Sequence, residues 1–135
     1  MKTSYISILF VLTLFACGDK GRVVEPKGGD AHMVLMEHDY NFGKVSDKDG
    51  IVEHEFVVAN DGGKAFVLLE VKPHCTCTTV EYKKELVNPG YGTVLKVKLD
   101  VRAVSSGDFV REVDIIPSCK RDNINGTIFL TGKKV

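Results

Sequence analysis

The run Thr93-Val94-Leu95-Lys96-Val97-Lys98-Leu99-Asp100-Val101 constrains this chain more than any other stretch. Leu95, Val97, Leu99 and Val101 fall on one side of an extended segment, with Lys96, Lys98 and Asp100 on the other. Successive side chains of a strand point to opposite faces, so such a run packs one face on a core and gives the other to water. A helix would scatter the same residues around its axis. One-sided burial of this kind belongs to antiparallel sheets.

Similar signals recur along the chain. Strands are expected at Met33 to Glu37, Tyr40 to Val45, Ile51 to Asn60, Ala65 to Val71, Cys75 to Tyr82, Thr93 to Val101, Asp108 to Ile116 and Ile124 to Thr131. The first two count as one strand or two. Ala65 to Val71 is almost continuously apolar, as a strand buried on both faces would be. Asp47-Lys48-Asp49-Gly50, Asn60-Asp61-Gly62-Gly63 and Ser105-Ser106-Gly107 read as turns. In Asn88-Pro89-Gly90, proline presets the first central position of a type II turn and glycine takes the positive φ of the second. About seven strands at roughly ten-residue spacing, without an amphipathic helix, predict an all-β sandwich.

The first residues read differently. Lys2 precedes an apolar run from Ile6 to Phe15, too short to span a bilayer, which needs about 20 apolar residues. It reads as an export signal. Leu14-Phe15-Ala16-Cys17 resembles a bacterial lipobox, with Phe15 bulkier than the usual occupant. That resemblance implies cleavage after residue 16 and lipid on Cys17. Each acyl methylene buried in a bilayer contributes about 0.8 kcal/mol, so several chains hold a protein firmly. Residues 1–16 are thus expected to be a signal peptide. Residues 17–31, rich in glycine and charge, are expected to be a lipidated cysteine and a flexible tether, with Val23-Val24 a weak strand candidate. Residues 32–135 are left for one domain.

Several motifs in order resemble the domain-of-unknown-function 1573 family. They are Tyr40-Asn41-Phe42-Gly43-Lys44-Val45, Asn60-Asp61-Gly62-Gly63, Val71-Lys72-Pro73-His74-Cys75-Thr76-Cys77-Thr78 and Asn88-Pro89-Gly90. The resemblance covers roughly residues 33–135, and Cys-x-Cys-Thr is its most distinctive part. It implies an immunoglobulin-like β-sandwich of about seven antiparallel strands, similar to pilus chaperones, in the envelope of a Gram-negative bacterium, with the outer membrane as the expected location. It implies no molecular activity. His74 stands where the family commonly has a small residue, and Cys119 has no obvious counterpart there.

With Cys17 assigned to lipid, Cys75, Cys77 and Cys119 remain. An exported protein can form disulfides. In an extended strand, Cys75 and Cys77 would have Cα atoms about 6.6 Å apart, at the upper edge of disulfide geometry. A bridge from either to Cys119 is therefore the favoured pairing. Three other readings stay open. Two thiolates with His74, completed by Cys119, suit a soft ion such as Cu(I) or Zn(II), although a lone Cys-x-Cys lacks the paired spacing of a zinc motif. A redox thiol needs a lowered pKa from a nearby cation, for which His74, Lys83 and Lys84 are candidates. Free cysteines also serve as small buried core residues.

Lysine plus arginine and aspartate plus glutamate are 18 each, so no basic face points to nucleic acid. No nucleophile elbow, Ser-His-Asp order, phosphate loop or calcium loop is present. His54, on the inward face of its strand, reads as a structural histidine. No catalytic residue, metal site or cofactor is assigned. The expected partners are the membrane, through the N-terminal lipid, and an unidentified protein. The expected role is non-catalytic, a binding module whose strand edges take up a partner with help from Phe42 or Tyr91. The competing expectation is a thiol-based metal or redox protein centred on Cys75 and Cys77.

Overall fold

A computed structural model describes residues 21–119 and 126–135. The expected signal peptide, Cys17 and the polar loop from Lys120 to Asn123 lie outside the described residues. Among them, eight strands are present: β1 (Met33–Leu35), β2 (Asp39–Val45), β3 (Ile51–Asn60), β4 (Leu68–Pro73), β5 (Thr78–Glu81), β6 (Gly92–Asp100), β7 (Gly107–Pro117) and β8 (Gly126–Lys134). They form two four-stranded sheets, in the orders β1-β3-β6-β5 and β2-β8-β7-β4. The β-sandwich is as the spacing predicted. One pairing departs from the antiparallel expectation, because β2 runs parallel to β8, with Asp39 opposite Phe129.

The alternation of β6 is the backbone of the core. Leu95, Val97, Leu99 and Val101 are fully buried. On β3, Phe56 and Val58 face the same way, with Phe56 opposite Leu95. Val113, Ile115, Ile128 and Leu130 meet them from the second sheet. A smaller cluster of Val45, Cys77, Leu99, Val101, Val104 and Phe109 forms a second buried group. Each fully buried side chain of this size contributes about 1.5–3 kcal/mol relative to exposure.

Two expectations change. The fourth strand starts at Leu68, not Ala65, and is an edge strand with Leu69 and Glu70 exposed. Its apolar lead-in has another use: Phe66 is buried and exchanges backbone hydrogen bonds with Val87. The expected tether is also partly bound to the domain. The Val23 amide donates to the Gly90 carbonyl, the Lys27 amide to Asp61, and the Gly63 amide to Asp30. Residues 23–31 thus lie across the turns at 60–63 and 88–91. The latter has the predicted geometry, with Gly90 at φ 85° and the Tyr91 amide donating to Asn88.

Candidate functional site

Strands β4 and β5 are edges of different sheets, and the chain crosses between them at residues 74–77. Pro73, lacking an N–H, ends β4 opposite Val113. The next residues bend rather than extend. The His74 amide donates to the Glu112 carbonyl at 3.0 Å, the Thr78 amide to Cys75 at 3.1 Å and the Asp100 amide to Cys77 at 2.9 Å. The bend brings the Cα atoms of Cys75 and Cys77 to 5.2 Å, and the two are joined as a disulfide. This overturns the pairing favoured by an extended geometry. Cys119, expected as the partner, is a free, partly buried thiol packed against the main core.

The two sulfurs differ in setting. Cys77 is 5% exposed within the smaller core cluster, whereas Cys75 is half-buried at its margin. The Cys77 amide donates to Cys75 Sγ at 3.2 Å, and the Thr78 hydroxyl lies 3.6 Å from Cys77 Sγ. Beside Cys75 is a shallow depression of about 400 Å³, lined also by His74, Val110, Arg111 and Glu112. His74 Nε2 is 2.6 Å from Asp114 Oδ2, and the Thr127 hydroxyl donates to Asp114 Oδ1 at 2.9 Å. His74, with help from Thr127, holds the Asp114 carboxyl below the usual carboxylate range, against the opposing push of partial burial. In the chain-entropy picture, a bridge closing a three-residue loop stabilises by only about 1.6 kcal/mol, against about 4.7 for a hundred-residue loop.

The metal reading needs two thiolates, and in the bridged form neither sulfur is one. Cys119 does not join Cys75 and Cys77. Among the described residues, no three histidine, cysteine or acidic side chains are grouped to hold a metal ion. His54 is partly buried, stacked on Tyr40 with ring centroids 3.6 Å apart and bonded to Glu37 at 3.0 Å.

A second feature lies on the same sheet edge. β5 covers β6 only from Leu99 to Lys96, after which the chain leaves toward Val87. The stretch from Gly92 to Leu95 is paired with β3 on one side and, among the described residues, has no strand on the other. A groove of about 430 Å³ lies there, lined by Tyr82, Val94, Glu81, Lys83, Glu85 and Lys96, among others. Phe42 and Tyr91, expected to serve a partner surface, do not reach it. Phe42 packs on both core clusters, and Tyr91 lies beside Gly21 of the tether. Periodicity could not flag this groove, because it depends on where a neighbouring strand stops.

Fold and site together define an immunoglobulin-like sandwich with a cysteine-bridged crossover between its two sheets. The family model for proteins of unknown function designated DUF1573 matches residues 33–132, and the chain belongs to that family. It is similar to a protein of unknown function from Porphyromonas gingivalis W83, at 16% identity and a TM-score of 0.61, over 82% of this chain and 49% of that one. It is also similar to the VesB protease of Vibrio cholerae, at 14% identity and 0.61, over 78% and 32%. The periplasmic chaperone SfaE aligns at 12% identity and 0.52, over 76% and 58%. At such identities the likeness concerns the fold alone, and the chain spans less than two thirds of each of these structures. No curated protein matches the sequence. No helix among the described residues is long and apolar enough to cross a membrane.

Proposed function

We propose that this chain is an envelope protein, anchored through lipid on Cys17, whose sandwich is a non-catalytic binding module for an extended segment of a partner protein. The observation that carries the binding reading is the early stop of β5. Among the described residues it leaves Gly92 to Leu95, paired with β3 on one side, without a strand on the other, on the line that β5 would have continued. A partner strand placed there gains backbone hydrogen bonds, the usual source of affinity in strand addition. Val94, 46% exposed, offers an apolar contact, and Glu81, Lys83, Glu85 and Lys96 offer both charges at the rim. Natural edges are usually blunted by proline, charge or a cover, and no proline stands between Gly92 and Leu95.

The anchoring part rests on the lipobox-like sequence alone. Site-specific photocrosslinkers at Lys83 and Glu85, in cells expressing the full chain, test the binding part. One discrete protein adduct from both positions, absent from a crosslinker at Val110 on the opposite sheet, is expected. No adduct at Lys83 or Glu85, or the same adducts at Val110, removes the reading. Replacing Cys17 by serine tests the anchor separately: the protein should leave the membrane fraction.

A further inference from the structure

The crossover disulfide has the arrangement of an exchangeable bridge rather than a staple. Its turn is held by three backbone hydrogen bonds that do not involve sulfur, from His74 to Glu112, Thr78 to Cys75 and Asp100 to Cys77. Opening the bridge leaves all three partners in place. The loop it closes is among the shortest a disulfide can close, so it removes little freedom from the unfolded chain. The two sulfurs are unequal in access. Cys75 borders the depression beside His74 and Arg111, and Cys77 lies in the core. Each sulfur also has a donor at hand that favours a thiolate: the Cys77 amide for Cys75, and the Thr78 hydroxyl for Cys77.

From this geometry we propose that Cys75–Cys77 is a reversible thiol–disulfide exchange site whose substrate is a thiol and whose attacked sulfur is Cys75. A substrate thiolate approaches through the depression and attacks Cys75 Sγ. A bond forms between the substrate sulfur and Cys75, the bond to Cys77 breaks, and its electron pair leaves on Cys77 Sγ, which takes a proton from solvent. A second substrate thiolate attacks the substrate sulfur of that mixed disulfide and releases Cys75 as thiolate. Two thiols become one disulfide, and the protein's disulfide becomes a dithiol, with two electrons and two protons transferred. The reverse sequence restores the bridge. Arg111 and Glu112 both line the depression and His74 is paired with Asp114, so the access of Cys75 rather than a net positive charge selects the attacked sulfur.

This site is independent of the strand groove, and its test does not depend on a binding partner. The probe is glutathione, applied to the full chain in detergent with Cys17→Ser and Cys119→Ser, so that Cys75 and Cys77 are the only sulfurs able to exchange. Across a series of reduced-to-oxidised glutathione ratios, rapid alkylation and mass spectrometry should show the bridge opening and reclosing, with the far-ultraviolet spectrum unchanged. Adding Cys77→Ser should trap a glutathione adduct on Cys75. The Cys75→Ser counterpart should form its adduct at least tenfold more slowly, since Cys77 is buried. A bridge that stays closed at every ratio, reduction that unfolds the sandwich, or equal trapping rates for the two variants would each overturn the proposal.

Discussion

Gly63 sits so close to Gly29 that a β-carbon added to it would stand 2.6 Å from the Gly29 carbonyl oxygen. The neighbouring Gly62 is confined more tightly still by the backbone of Asp30 to His32. These glycines serve close approach rather than unusual φ, and they let residues 28–32 lie flat on the turn after β3. Gly63→Ala should therefore lift the docked segment and cost about 1–3 kcal/mol, as overpacking does. Thermal unfolding should show a lower midpoint, and limited proteolysis should cut between residues 22 and 31 sooner than in the parent.

Asn60 anchors the same region from below. Its side chain is fully buried and makes four hydrogen bonds: Nδ2 donates to the carbonyls of Lys64 and Val87, and Oδ1 accepts from the amides of His32 and Gly62. Asn60→Ala strands the buried Gly62 amide, whereas the Val87 carbonyl keeps the Phe66 amide as donor and the partly buried His32 and Lys64 groups can turn to water. A stranded buried group costs about 1–3 kcal/mol, so a loss of about that size is expected from urea unfolding. Asn60→Asp should be no milder, because it removes both donors and buries a charge.

Asp61 ties this region to acidity. Burial pushes its carboxyl up, but His32 and Lys27 together outweigh that push and leave it below its ordinary value of 3.8. A depressed carboxylate stabilises the fold fully above its unfolded value and loses that stabilisation as pH falls through the folded one. Stability should thus be insensitive to this group near neutrality and decline below about pH 4. Urea midpoints measured from pH 6 to pH 2 should fall less steeply for Asp61→Asn than for the parent. An identical slope would mean that Asp61 does not contribute.

The thiol inventory checks the disulfide assignment directly. Alkylation of the full chain under denaturing, non-reducing conditions, followed by peptide mass mapping, should modify Cys119 and leave Cys75 and Cys77 untouched. A modified Cys75 or Cys77 beside an unmodified Cys119 would restore the long-range pairing that an extended strand suggested.

Strands with one wet face were legible because burial repeats every second residue. The strand at Ile51–Asn60 has the bounds that its alternation predicts, and the Leu95-to-Val101 face is buried at all four positions. What escaped was set by neighbours far along the chain. The parallel pairing of β2 with β8 leaves no local signature. The apolar run at Ala65 to Val71 looked like one strand, although Phe66 pairs with Val87 and Leu69 faces solvent. The tether carries no apolar period because it docks through backbone hydrogen bonds, and Gly62-Gly63, which reads as a turn, also provides the close approach. At the crossover, β-branched residues after Cys77 suggested a strand beginning at Cys75, whereas the backbone turns until Thr78. That three-residue difference decides whether Cys75 and Cys77 can bond.

The crossover bridge itself permits a separation of covalent and packing contributions. Reduction opens the bond but leaves both sulfurs in the turn, so Cys77 still fills its place among Leu99, Val101 and Phe109. By chain entropy alone, the loss should be about 1–2 kcal/mol. Replacing both Cys75 and Cys77 by alanine removes the bond and also the buried sulfur, adding a transfer and cavity loss of about 1 kcal/mol or more. Urea unfolding of the oxidised, reduced and double-alanine proteins should therefore rank in that order, with the reduced form nearer the oxidised one. If the reduced protein instead falls below the double-alanine variant, two thiols in this turn destabilise it. The bridge would then be needed to hold the crossover, contrary to the three backbone hydrogen bonds that span it.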